Sequence, residues 1–149
     1  MLVQDLLALR KQEVFTVTPD QTVEDAINQM ALNKTSALLV MEGDYPVGIF
    51  AERDVLRCHL KERSKAFTQI KVKNAMTNKL ISARPEDEIG AAVNMMLKAD
   101  IRHLPVIKDK KIIGMLTIND LVEHLISALN AELHHLQSYI ADLQDASKD

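Results

Sequence analysis

A chain that repeats itself at a fixed offset can fold only into architectures built from two like units, and these 149 residues do repeat. Gly48-Ile49-Phe50-Ala51-Glu52-Arg53-Asp54 returns 66 residues later as Gly114-Met115-Leu116-Thr117-Ile118-Asn119-Asp120. The same register pairs Pro19 with Pro85, Ala26 with Ala92, Asn28 with Asn94, Met30 with Met96, Leu38 with Leu104 and Val40 with Val106. Upstream, Val3-Gln4-Asp5-Leu6-Leu7 resembles Val72-Lys73-Asn74-Ala75-Met76 at an offset of 69, because the linker has gained three residues.

Each half reads as helix, strand, helix, strand, strand, helix. Val3 to Arg10 has the pattern of a short amphipathic helix, and Val14 to Val17 that of a brief strand. Thr22 caps a second helix whose apolar face is Val23, Ala26, Ile27 and Met30, reproduced by Ile89, Ala92, Val93 and Met96. At this spacing the methionines read as core. Strands are predicted over Ser36 to Met41 and Val47 to Phe50, and again over Arg102 to Ile107 and Ile112 to Leu116. Helices follow at Glu52 to Lys61 and from Ile118 onward. Two small three-stranded sheets with helices on one side bury little alone, so the halves are expected to pack together. Arg63 to Lys73, polar and partly basic, reads as a solvated connector.

The two glycine stretches carry the chemistry. A helix start offers unpaired N–H groups and a positive dipole end to a phosphate. The Thr117 hydroxyl adds a hydrogen bond, and the Asp120 carboxylate can accept from both ribose hydroxyls. The competing reading is an ordinary helix cap at Asp54 and at Asp120. Repeat one has Ala51 in place of Thr117 and Leu39 in place of Pro105, so the pattern predicts a good site at Asp120 and a degraded one at Asp54.

The lead-ins, the run Ile101-Arg102-His103-Leu104-Pro105-Val106 and the Gly-x-x-Thr-x-x-Asp ending at Asp120 together resemble a tandem pair of CBS domains, a Bateman module. Glu52-Arg53-Asp54 and Arg102-His103-Leu104-Pro105 are similar to small stand-alone bacterial CBS-pair proteins. The resemblance implies an α+β fold of two CBS repeats packed by pseudo-twofold symmetry, with an extended C-terminal helix. Repeat one would span 1–62, the linker 63–70, repeat two 71–128 and the helical extension 129–149. It also implies an adenosine derivative in the cleft: AMP, ADP, ATP, NAD(H) or S-adenosylmethionine. Carried onto this chain, Asp120 would hold the ribose and Thr117 the phosphate, with Asn119 beside them. Leu80, Ile81, Ile101, His103 and Pro105 would pack around the base. Strand alternation puts Arg102 and His103 on opposite faces, either able to meet phosphate; the alternative is a surface charge and a packed edge residue. Arg53 would reach across the cleft to a phosphate held by the other half.

Net charge of −3 and a pI near 5.9 disfavour a nucleic-acid surface, as does the scarcity of aromatics. No apolar run suits a membrane span or signal peptide, so a cytoplasmic protein is expected. Cys58, the single cysteine, reads as inert, and adjacent His134 and His135 lack the i, i+4 placement of a helical metal pair. No metal set, phosphate-binding glycine loop or activated nucleophile marks an enzyme. Two readings remain, a nucleotide-sensing regulatory homodimer that signals to an effector protein and a ligand-free structural or oligomerisation module.

Val122, Ile126, Leu129, Leu133, Leu136, Ile140 and Leu143 form a heptad seam in the last helix. Val122 and Ile126 are expected in the core of repeat two, and Leu129 to Leu143 at a homodimer contact, the alternatives being a helix folded back on its own module or a docking helix for an effector protein.

Overall fold

The computed structural model describes residues 1–10 and 13–147. Residues 148–149 of the expected extension lie outside the described residues. The chain divides into two compact units, Met1–Leu116 and Thr117–Asp149.

In the first unit, α1 (Val3–Leu9) precedes β1 (Thr16–Val17), α2 (Val23–Asn33), β2 (Ala37–Glu42), β3 (Tyr45–Ala51) and α3 (Glu52–Lys61). A 3-10 turn at Phe67–Gln69 leads to the one-turn helix α4 (Val72–Ala75), then α5 (Ile89–Ala99) and β4 (His103–Lys108), with β5 (Lys111–Thr117) closing the unit. The N-terminus of α2 is built as its sequence demands. Thr22 Oγ1 accepts from Asp25 N, and Asp25 Oδ2 accepts from Thr22 N. Its expected face is inside, with Val23, Ala26 and Met30 buried and Ile27 half-buried against the same core.

The repeat register survives in space. β1 runs parallel to β2 with Val17 opposite Val40, and 66 residues on a parallel bridge sets Ala83 opposite Val106. In repeat one Leu39 N donates to the Phe15 carbonyl. Its counterpart, Pro105, has no N–H to give. The expected first strand of repeat two is therefore reduced to the single bridge at Ala83, and the second sheet has two strands, β4 and β5. Both hairpins turn in two residues. Gly43 takes positive φ in the first; Asp109 and Lys110, with φ of 51° and 65°, do so in the second.

The lead-in helices are exchanged between repeats. Val3 N and Gln4 N donate to the carbonyls of Asp87 and Pro85, while Val72 N and Lys73 N donate to those of Gln21 and Pro19. The two sets superpose under the offsets of 69 and 66, as a pseudo-twofold arrangement requires. α1 thus docks on repeat two and α4 on repeat one. The 63–73 segment is less of a solvated connector than its composition suggests. Ile70 is buried in the repeat-one core and Phe67 packs against it, because the Ile70 carbonyl must receive Val23 N to close the exchange.

The second unit begins at Thr117 and is built on α6 (Ile118–Ala146), one helix that passes residue 128 without a break. Asp120 and Leu121 are its buried residues. Val122 and Ile126, expected in the core, are 43% and 51% exposed. Burial falls on Leu121 instead, and one residue further on a helix is turned by about 100°. Leu129, Leu133, Leu136, Ile140 and Leu143 are likewise half-exposed or more. No described helix is long and apolar enough to cross a membrane.

Candidate functional site

Asp54 and Asp120 hold the same position at two helix starts, and both are buried, at 2% and 3% exposure. Thr117 and Asp120 form a reciprocal box, with Thr117 N donating to Asp120 Oδ2 at 3.0 Å and Asp120 N to Thr117 Oγ1 at 3.2 Å. Asn119, on the first turn between them, is exposed. At the start of α3, Ala51 has no hydroxyl, yet its N–H still donates to Asp54 Oδ2 at 2.8 Å. The capping reading of both aspartates is realised.

A hydroxyl of another kind reaches the first aspartate, donating to its carboxylate instead of accepting from its N–H. Thr77 Oγ1 donates to Asp54 Oδ1 at 2.9 Å, and the Arg57 guanidinium lies 3.6 Å from the same oxygen. Thr77 is held there by a bridge to β3, giving and taking hydrogen bonds with Ile49. Under the lead-in offset of 69, Thr77 corresponds to Ala8. Repeat one thus combines Ala51 with Thr77, where the corresponding residues are Thr117 and Ala8.

Asp54 opens onto a cavity of about 390 Å³, within the size range of small-molecule sites. Ile101, Arg102 and His103 line it together with Arg53 and Asp54. Arg102 and His103 share this cavity instead of facing opposite ways, because β4 starts only at His103 and Arg102 precedes the pleat. His103 Nε2 and Ser36 Oγ are 2.8 Å apart, a hydrogen bond that ties the repeats together. Leu80, Ile81 and Pro105 do not line the cavity. Leu80 and Ile81 lie half-buried in the irregular segment before Ala83, and Pro105 is buried in β4.

Arg53 does cross to the other repeat, but to protein atoms. Its Nη1 donates to the main-chain oxygen of Asp100 at 2.7 Å and lies 3.3 Å from the Asp100 carboxylate. Asp100 caps α5 in the left-handed conformation, at φ 53° and ψ 47°. Arg53, Arg57 and Arg102 bring three guanidiniums to the cavity, against the carboxylates of Glu52, Asp54 and Asp100. Asp54 is committed to the helix start, Thr77 and Arg57, but a carboxylate has about four acceptor positions and retains capacity for a ligand hydroxyl.

Ser36, Arg57 and Thr77 escaped the sequence reading. Ser36 is the repeat partner of Arg102, Arg57 lies one turn after Asp54, and Thr77 directly follows the second lead-in; those spacings were the available signals. Among the described residues no His, Cys, Asp and Glu group could hold a metal ion.

Comparison with known proteins bears on the family and the fold. The CBS domain profile matches twice, at residues 3–61 and 72–127. The mitochondrial CBS domain-containing protein CBSX3 of Arabidopsis thaliana is 39% identical over 128 residues; the match covers 83% of this chain and 62% of that protein. This chain thus spans less than two thirds of that relative's length. The crystal structure of the CBS-domain protein NE2398 superposes with a TM-score of 0.80 at 33% identity, covering 85% of this chain and 98% of that one. CBSX2, solved in complex with AMP, superposes with a TM-score of 0.72 at 26% identity, covering 85% and 97%. The exchanged lead-ins, the paired aspartate helix starts and these matches place the chain in the CBS-domain family, with the domain present twice.

Proposed function

We propose that this protein is a regulatory module that binds an AMP-like adenine nucleotide and acts as a homodimer signalling to a partner protein. One observation carries the reading: a buried, structurally fixed carboxylate, Asp54, opens onto a cavity rimmed by three guanidiniums and lined by Ile49 and Ile101. Asp54 would accept from the ribose, the isoleucines would flank the base, and Arg53, Arg57 and Arg102 would meet the phosphate. His103 would orient the cavity wall through Ser36. Thr117, Asn119 and Asp120 would serve a second nucleotide in the same manner, with Leu80, Ile81 and Pro105 among the apolar contributors. The AMP complex of CBSX2 supports this choice of ligand class. ADP, ATP, NAD(H) and S-adenosylmethionine are its competitors. No catalytic step is assigned.

The Leu129 to Leu143 stripe is the proposed dimer contact, and a ligand could move the dimer between states only by binding them unequally. A ligand-free structural module is the second reading, favoured by one observation: each aspartate is already engaged as a helix cap. Isothermal titration of AMP into wild type, Asp54→Ala and Asp120→Ala separates the two. The proposal expects saturable heat in wild type and its loss at the altered site. No heat in any of the three, with all of them folded, would favour the structural reading.

A further inference from the structure

The face of α6 specifies more than a contact. Its heptad places Ile126, Leu133 and Ile140 at one core position and Val122, Leu129, Leu136 and Leu143 at the other. Isoleucine at two of the three first positions, with leucine at three of the four second ones, is close to the choice that favours two strands in a parallel coil. These seven side chains are 43% to 65% exposed in the single chain, from Val122 to Leu129. Together they present on the order of 700 Å² per copy, close to the roughly 800 Å² per partner of a stable, specific interface. An open leucine row on a helix needs a second surface to bury it, and residues 128–146 of α6 extend past the second CBS match.

The number of paired core layers discriminates between the two possible orientations. An antiparallel pair sets one core position against the other, so it turns about residue 131 and leaves Leu143 unpaired, with the two Glu132 carboxylates opposed, or turns between residues 134 and 135 and leaves Val122 unpaired. In a parallel pairing all seven core side chains meet their own copies, Leu125 faces Asn130, Glu132 faces Gln137 and Tyr139 faces Gln144 of the partner copy, and no like charges are opposed. The remaining acids beyond the first turn also avoid one another. Glu123 falls opposite Ile118 of the other copy, and Asp142 and Asp145 lie on outward positions.

We infer that α6 forms a parallel, in-register, two-stranded coiled coil with a second copy of this chain. Both Thr117–Asp120 helix starts then lie at the same end of one coil. Two nucleotides bound there would act on a single shared lever. The inference rests on the homodimer reading above and adds its orientation and register.

Cysteine crosslinking tests it in full-length protein carrying Cys58→Ala. Leu143→Cys faces its own copy across a parallel seam, within the roughly 4.4–6.8 Å Cα window of a disulfide. Either antiparallel pairing separates the same two positions by about 25–36 Å. Rapid, near-complete disulfide dimer from Leu143→Cys alone is expected. A dimer that does not link there, but links Leu133→Cys to Leu129→Cys or to Leu136→Cys in a mixture of the two variants, overturns the orientation and leaves the homodimer standing. Wild-type protein that sediments as a monomer at about 100 µM overturns both. AMP titration of the same samples reports separately on the nucleotide reading.

Discussion

Gly48→Ala and Gly114→Ala are the same change at equivalent positions of the two repeats, and the structure gives them different costs. A Cβ at Gly48 would stand 2.8 Å from Met76 Sδ and 2.8 Å from the backbone oxygen of Thr77. A Cβ at Gly114 would stand 2.8 Å from Cδ2 of Leu7, the free end of a flexible side chain. Leu7 can turn away, whereas the Thr77 carbonyl is held by Ile49 N at 3.0 Å. Overpacking costs about 1–3 kcal/mol, and loss of glycine's excess unfolded-state freedom returns about 0.5–1 kcal/mol. Gly48→Ala should therefore lose about 1–2 kcal/mol, while Gly114→Ala stays within about 1 kcal/mol of wild type. For a chain of this size each kcal/mol moves Tm by about 2–4 °C. Differential scanning calorimetry should show a fall of roughly 2–8 °C for Gly48→Ala and a distinctly smaller change for Gly114→Ala. Displacing Thr77 also disturbs its hydroxyl on Asp54, so Gly48→Ala should weaken AMP binding as well. Equal shifts, or a neutral Gly48→Ala, would refute the argument that a fixed backbone oxygen sets the cost.

Further predictions concern the caps, the second hairpin, the thiol and the charges. Asp54→Ala removes a buried acceptor that serves Ala51 N and Thr77 Oγ1, and should cost about 2–3 kcal/mol in urea unfolding. Lys110→Gly should raise Tm by roughly 1–4 °C, because Lys110 at φ 65° carries a left-handed penalty of about 1–2 kcal/mol, of which glycine's own entropy returns only part. Burial, with Glu62 adding to it, raises the Cys58 thiol pKa. Native protein should then react slowly with a thiol reagent at pH 8 and fast in denaturant, and stability should fall as pH climbs above the ordinary thiol range toward the raised folded value. Asp20 is held below its usual pKa by a hydrogen bond from Lys73, then by the charges of Lys73 and Lys71. Its contribution is present above the ordinary carboxylate pKa and lost as pH falls through the lowered one; Asp20→Asn should flatten that acid limb slightly, and salt should mask the difference.

Much of the fold was legible because the repeat supplies two readings of every element. The face of α2 and the start of α3 came from periodicity and caps that recur in the other half. The failures have local physical causes. Pro105 stands where repeat one has Leu39, and its missing N–H also removes a strand from the second sheet. Thr77 escaped because its hydroxyl serves an aspartate 23 residues away, through a bridge no local pattern encodes. Arg102 and His103 were assigned opposite faces by an alternation that starts one residue too late to apply. Val122 and Ile126 fit the heptad and the core pattern equally, and only the helix rotation set by Leu121 separates the two. Arg53 was expected to cross the cleft and does so, but its observed partner is the left-handed cap at Asp100.

The central claim is that the buried aspartates serve a nucleotide as well as their helices. Thermal unfolding with AMP, ADP, ATP, NAD(H) and S-adenosylmethionine in turn, on wild type and on Asp54→Ala and Asp120→Ala, tests it most directly. A ligand at about 100 times its Kd adds about 2.7 kcal/mol, or roughly 5–11 °C here. The account predicts that an anionic adenine nucleotide stabilises wild type by this amount, and that an aspartate variant which remains folded loses part or all of the shift. A wild type that no adenine ligand stabilises at millimolar concentration would contradict it and leave both carboxylates as helix caps alone.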